Sequence, residues 1–283
     1  MTGATLVASI AAAMAAHWLA GQTVGLLTSG GLVTRNFQGR AVPRPLGIAL
    51  VTAYLAGAAA GSLVLGRPWV QALPYLVAVT GVGFFGLADD VLGRDQHGGI
   101  RSYTATFLRT GRLGGGMLKA VGAALVALAL AGAHRPPPGL LVDAGLIALG
   151  ANAANLLDVR PGRTLLGFWL ATMVVVAAGA RQEVLPLLPL LAATAVLGPW
   201  DLGARAMLGD TGANALGAAA GLFAVRSLSP AGREVALVFL VLLHLVAEFG
   251  SLSRLLEGLG GVLGGRRQAK EEEMERSSGP PEE

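Results

Sequence analysis

The sequence predicts an all-α protein, a polytopic transmembrane helix bundle of about nine spans. Hydrophobic residues make up 53% of the 283 residues and charged residues only 13%, about half the charged share of a soluble domain. The apolar residues fall in repeated runs of roughly the 20 residues that a helix needs to cross a bilayer. The 42 glycines allow helices to pack closely, as membrane bundles do.

The predicted spans follow one another with short connections. They cover residues 4–30, 45–65, 69–88, 116–133, 140–157, 164–180, 184–200, 209–225 and 233–250. The first run lacks a basic n-region and is too long for a cleavable signal peptide, so we predict a retained helix. No internal repeat of 20–50 residues is visible, which disfavours a repeat-built transporter.

The distribution of positive charge predicts the orientation. Sixteen of the 21 Lys and Arg follow spans one, three, five and seven or lie in the tail, against five on the other side. The positive-inside rule then places the N-terminus outside and the C-terminus in the cytoplasm. Because the charge is a topology signal, we expect no nucleic-acid partner. We predict a transmembrane domain over 1–263 and a disordered cytoplasmic tail over 264–283.

Acidic residues stand at span ends that this topology places in the cytoplasm. Asp89 and Asp90 close span three, where two adjacent charges near hydrocarbon are costly without a counter-charge. Asp210 opens span eight within Gly-Asp-Thr-Gly, where free N–H groups and the helix dipole attract anions. The ordinary alternatives are a polar stop at the interface for the acid pair and a helix cap for Asp210.

Amides and cations fall on the same side. Asn152, Asn155 and Asp158 close span five, and their spacing of three keeps them within an arc of about 120°. Lys119 opens span four, and Asn36 lies in a basic first loop. Helix–helix hydrogen bonds for the amides, an interfacial cap for Asp158 and a lipid-facing anchor for Lys119 are the competing interpretations.

The combination predicts chemistry on a phosphate. Acid and amide oxygens suit Mg²⁺, whereas basic groups and a helix N-terminus suit phosphate. Together they predict a magnesium-bridged diphosphate handled at the cytoplasmic interface.

The order of motifs resembles a known enzyme family over roughly residues 32–220. A basic loop with Asn36 precedes Gly-Leu-Ala-Asp89-Asp90, then Asn152-Ala-Ala-Asn155-Leu-Leu-Asp158, then Gly-Asp210-Thr-Gly. This order is similar to that of the polyprenyl-phosphate N-acetylhexosamine-1-phosphate transferases, of the MraY, WecA and TagO type.

The resemblance implies a function and a set of roles. A UDP-sugar would give its sugar-1-phosphate to polyprenyl phosphate in the cell membrane, releasing UMP with Mg²⁺ as cofactor, for cell-envelope glycan synthesis. By position, the resemblance assigns catalytic, substrate-binding and metal-binding residues. These are Asp89, Asp90 and Asp210 as catalytic acids, Asn36, Lys119, Asn152 and Asp158 as substrate-binding groups, and Asn155 with Asp210 as metal ligands. Dimers occur in the family, and the Gly- and Ala-rich helices would permit a homodimer.

The sequence also departs from the family pattern. The family often has Asp-Gly after the second amide motif, where this sequence has Asp158-Val159-Arg160; the usual His-rich motif near the last helices is missing, and so is a tenth span. A catalytically weakened relative that binds polyprenyl phosphate or a partner without turnover is therefore the alternative. A Mg²⁺ or anion transporter is the third interpretation, but it would want acids deep within the spans.

Overall fold

The computed structural model describes residues 3–93, 114–133, 139–179 and 183–249. In these ranges the chain forms nine helices and one β-hairpin. The helices are α1 Gly3–Ser29, α2 Gly47–Leu65, α3 Val70–Leu92, α4 Gly115–Gly132, α5 Gly139–Leu157, α6 Arg163–Ala177, α7 Leu185–Leu202, α8 Gly209–Ser227 and α9 Pro230–Phe249. Each corresponds to one predicted span, so the all-α bundle is confirmed. The predicted tail over 264–283 lies outside the described residues.

Seven of the helices in the described ranges are long and apolar enough to cross a membrane: α1, α2, α3, α4, α5, α7 and α9. Helix α6 is apolar but has 15 residues. Helix α8 is less apolar because it lies inside the bundle, with 16 of its 19 residues buried. A helix covered by protein on all sides does not need the apolar surface that lipid requires. The chain up to Leu240 forms one compact unit, and residues from Val241 belong to a second.

Helices α5 and α8 run antiparallel in close backbone contact. A Cβ on Gly217 would lie 2.2 Å from the carbonyl oxygen of Gly150, and one on Gly221 would lie 2.3 Å from that of Leu146. Four residues forward on α8 therefore match four residues back on α5. When this register is extended by seven residues from Gly217 and Gly150, Asp210 of α8 lies at the same height as Leu157, the last residue of α5.

A β-hairpin follows α1, where the sequence predicted only a basic loop. Strands β1 Val33–Arg35 and β2 Ala41–Pro43 pair antiparallel. Oδ1 of Asn36 accepts the backbone N–H groups of Gln38 at 2.9 Å and Arg40 at 3.0 Å. These bonds close the turn, which is why so short a hairpin is ordered here.

The hairpin is tied to the segment that leads into α8. The N–H of Met207 donates to the carbonyl of Pro43 at 3.0 Å, and the N–H groups of Leu46 and Gly47 donate back to Met207 and Leu208 at 2.8 and 2.9 Å. The starts of α2 and α8 are therefore held side by side. Arg44, between β2 and α2, is placed beside the first turn of α8.

A buried ion pair lies at the other end of α5. Nη1 of Arg233, in the first turn of α9, donates to both carboxylate oxygens of Asp143 at 2.9 and 3.0 Å. The two side chains are 3% and 1% exposed. This pairing explains how an acid is tolerated inside a predicted span.

Candidate functional site

The carboxylate of Asp90 caps the N-terminus of α8. Its Oδ1 accepts the N–H of Asp210 at 3.1 Å, and its Oδ2 accepts the N–H of Thr211 at 2.8 Å and the Thr211 hydroxyl at 2.7 Å. The helix N-terminus that the sequence predicted to attract an anion is thus already occupied by an anion of the protein itself.

Two glycines allow this approach of α3 to α8. Gly209 has a φ of +71°, and a Cβ there would lie 2.9 Å from Oδ2 of Asp90 and 2.7 Å from Cβ of Pro45. A Cβ on Gly86 would lie 2.4 Å from the carbonyl oxygen of Asp210. Side chains at either position would separate the acid pair from α8.

Lys119 links the two helices through their acids. Its Nζ lies 2.7 Å from Oδ2 of Asp89 and also contacts Oδ2 of Asp210. The side chains of Lys119, Asp89 and Asp210 are 12%, 14% and 10% exposed. The structure therefore places Lys119 inside the acid cluster, which consists of Asp89, Asp90 and Asp210. The lipid-anchor interpretation would have placed Lys119 outside this cluster.

Arg44 is a site residue that was not among those predicted from the sequence. Its Nε lies 3.1 Å from Oδ1 of Asp90, and its Nη2 contacts Oδ1 of Asp210. Burial disfavours the charge, but the carboxylates of Asp90 and Asp210 outweigh it and raise the pKa of Arg44 above its ordinary value. Its place directly before Pro45 in the basic first loop was the only sequence signal.

Asp158 lies just beyond α5 at the border of the cluster. Its Oδ1 accepts the hydroxyl of Thr164 at 3.3 Å, and its buried Oδ2 has no hydrogen-bond partner among the described residues. Burial, with the negative charges of Asp201 and Asp210, raises the pKa of Asp158 to about 8 against the opposing effect of Arg44. A carboxyl with this pKa is mostly protonated at neutral pH and has a proton to donate.

Asp201, at the end of α7, was also missed and serves the local backbone. Its Oδ2 accepts the N–H of Gly162 at 2.7 Å and its Oδ1 that of Leu208 at 3.3 Å. It thereby fixes both the loop after Asp158 and the start of α8. A lone acid directly after a predicted span gives no signal of this role.

The amides have more varied positions. Asn36 orders the hairpin turn through Oδ1, while its Nδ2 is buried without a hydrogen-bond partner in the described ranges. The hairpin tip meets the loop after α5, where the Arg160 guanidinium lies 5.4 Å from the Phe37 ring centroid.

Asn152 and Asn155 are half-buried on α5. The register of α5 on α8 places Asn155 about 3 Å along the axis from the level of Asp210.

The donor chemistry of this cluster suits a divalent cation, but a preformed cage is not observed. In the described part of the chain, no three acidic or His side chains are spaced to hold a metal ion. The Lys119 ammonium bridges the carboxylates of Asp89 and Asp210. Asp89, Asp90 and Asp210 carry three formal negative charges against the two positive charges of Arg44 and Lys119.

Comparison with known proteins places no family name on this arrangement, since neither a protein-family model nor a curated protein matches the chain.

Proposed function

We propose that the protein transfers a sugar-1-phosphate, of the N-acetylhexosamine class, from a UDP-sugar to polyprenyl phosphate and releases UMP. The observation that carries this proposal is the joining of Asp89, Asp90 and Asp210 with Lys119 and Arg44 at one end of an apolar bundle. A membrane phosphotransferase requires acidic side chains that bind a metal cation and basic side chains that bind phosphates. It also requires an apolar helix surface that accommodates a lipid tail.

The reaction is a displacement at phosphorus. An oxygen of polyprenyl phosphate attacks the sugar-linked phosphorus of the UDP-sugar and forms a new P–O bond. The bond from that phosphorus to the bridging oxygen breaks, and UMP leaves with the electron pair. The nucleophile is largely ionised near pH 7 because its second pKa is about 6, so the protein needs positioning and neutralisation of charge rather than a strong base.

The contacts of each residue in the acid cluster suggest its role in this reaction. Asp210, with Asn155 at nearly the same level, would hold Mg²⁺, which neutralises the diphosphate when bound. Arg44 pairs with Asp210, and its side chain is 30% exposed, so it would be able to bind a phosphate as well. Asp89 faces Lys119 rather than the helix cap, so its carboxylate serves the cation cluster together with Asp210. Asp90 maintains the geometry of α8.

The alternative is a relative that binds polyprenyl phosphate without turnover. The closed ion pairs favour it, because Lys119 and Arg44 already neutralise most of the acid charge. The missing His-rich motif favours it as well.

One assay separates the two functions. Purified protein is incubated with undecaprenyl phosphate, Mg²⁺ and a panel of UDP-sugars, and UMP release is measured. Release that is lost in Asp210→Ala and kept in Glu183→Gln supports the transferase, since Glu183 pairs with Arg226 away from the acid cluster. Release that persists in Asp210→Ala would contradict this site, and no release with any donor would favour the binding protein.

A further inference from the structure

Lys119 occupies the position that a bridging cation would take. Its single ammonium contacts one carboxylate oxygen of Asp89 at 2.7 Å and one of Asp210. All three side chains are largely buried. A divalent cation that draws on these acids needs the same oxygens, at the short distances of about 2.0–2.1 Å that Mg²⁺ demands. Both cations cannot contact those oxygens at once, because they repel strongly at such separations.

We propose that Lys119 is an exchangeable internal cation, which competes with a divalent cation for Asp89 and Asp210 and is released when the metal binds. The inference rests on the proposed function in taking a divalent cation as the ligand. It extends that function by assigning Lys119 two positions, one in the free protein and one with the metal bound.

The formal charges agree with this exchange. With Lys119 and Arg44 in place, Asp89, Asp90 and Asp210 retain one net negative charge. When Lys119 leaves, the same acids and Arg44 carry two, which a divalent cation neutralises. Arg44 is the poorer candidate to leave, because one of its two partners is Asp90, the acid that is fixed to the first turn of α8.

The local structure also permits Lys119 to move. Lys119 lies in the first turns of α4, on a flexible four-carbon stem. The backbone packs tightly against Asp89, since a Cβ on Gly93 or on Gly115 would lie 2.4 or 2.7 Å from its Oδ1, so Asp89 is held in place while the longer Lys119 side chain is the part that can move. A released ammonium would be able to pair with a substrate phosphate, which would make Lys119 a positioning residue for substrate.

The first test uses the unmodified protein in detergent. Lys119 and Lys270 are the two lysines of the chain, so Lys270 serves as an internal control. The acylation rate of each lysine is followed by mass spectrometry with and without saturating Mn²⁺. We expect Mn²⁺ to raise the rate at Lys119 several-fold and to leave Lys270 unchanged. An unchanged or slower rate at Lys119 would overturn the proposal.

The second test measures Mn²⁺ binding to variants by electron paramagnetic resonance of the free ion. Lys119→Met should bind at least about tenfold more tightly, because the competing charge is gone, and Lys119→Arg should show no gain. Adding Asp210→Asn to Lys119→Met should remove the gain. Equal affinity of Lys119→Met and the parent would overturn the competition. UMP release is scored separately: tighter binding without release contradicts only the transferase, and release without tighter binding contradicts only the exchange.

Discussion

Thr211 and Asp90 are joined by two hydrogen bonds, since the backbone N–H and the hydroxyl of Thr211 both donate to Oδ2 of Asp90, at 2.8 and 2.7 Å. Asp89, its neighbour in sequence, instead pairs with Lys119. Successive residues on a helix point about 100° apart, so the two acids face different groups. The adjacent acids therefore have distinct tasks, one fixing α8 and one facing the ion cluster.

Thr211→Val should lower the free energy of unfolding by about 1.5–3 kcal/mol, the range for a hydrogen bond to a charged group. The hydroxyl donor to Asp90 is lost while the shape of the side chain is kept. Thr211→Ser retains the hydroxyl and is the matched control. Unfolding in mixed micelles measures the difference, and a Thr211→Val protein as stable as Thr211→Ser would contradict the cap.

Gly86→Ala should destabilise the protein and weaken the site, because the new methyl group would lie 2.4 Å from the carbonyl oxygen of Asp210. Overpacking of this kind costs about 1–3 kcal/mol. Gly25→Ala on α1 is the control, since a Cβ there meets nothing within 4 Å. Thermal unfolding in detergent compares the two, and equal midpoints would show that α3 has room to shift.

Asp143→Asn should cost about 3–5 kcal/mol of stability, because it leaves the Arg233 guanidinium buried without its counter-charge. Glu183→Gln breaks a more exposed pair with Arg226, in which Glu183 is 38% exposed, and should cost no more than about 1 kcal/mol. Replacing both buried partners, as Asp143→Leu with Arg233→Met, should recover much of the loss. A double variant less stable than Asp143→Asn would argue against this account.

Stability should depend on pH through Asp158. Burial and neighbouring acids raise its folded pKa to about 8 from an ordinary value of 3.8. The contribution of Asp158 is therefore full below pH 4 and is lost as the pH rises through about 8, with a slope of at most about 1.4 kcal/mol per pH unit. Asp158→Asn should flatten this fall. Unfolding midpoints from pH 5 to 9 test it, and parallel curves for the two proteins would show that Asp158 does not titrate in this window.

The sequence by itself determined the helices and the end of the bundle at which polar groups stand. A run of about 20 apolar residues predicts a helix, so each of the nine predicted spans corresponds to a helix in the described ranges, and seven of these helices are long and apolar enough to cross a membrane. Polar residues are tolerated at helix ends, which is why Asp89, Lys119, Asp158 and Asp210 were found as candidates.

Only the tertiary structure decided which of these groups meet. Arg44 and Asp210 are 166 residues apart, and their contact depends on the hairpin, on the backbone bonds to the start of α8 and on the rotation of each helix about its axis. Likewise, Lys119 faces acids rather than lipid because α3, α4 and α8 approach closely at glycines. Helix rotation and interhelical distance follow from packing of side chains distant in sequence, and the spacing of apolar residues along one helix does not specify them.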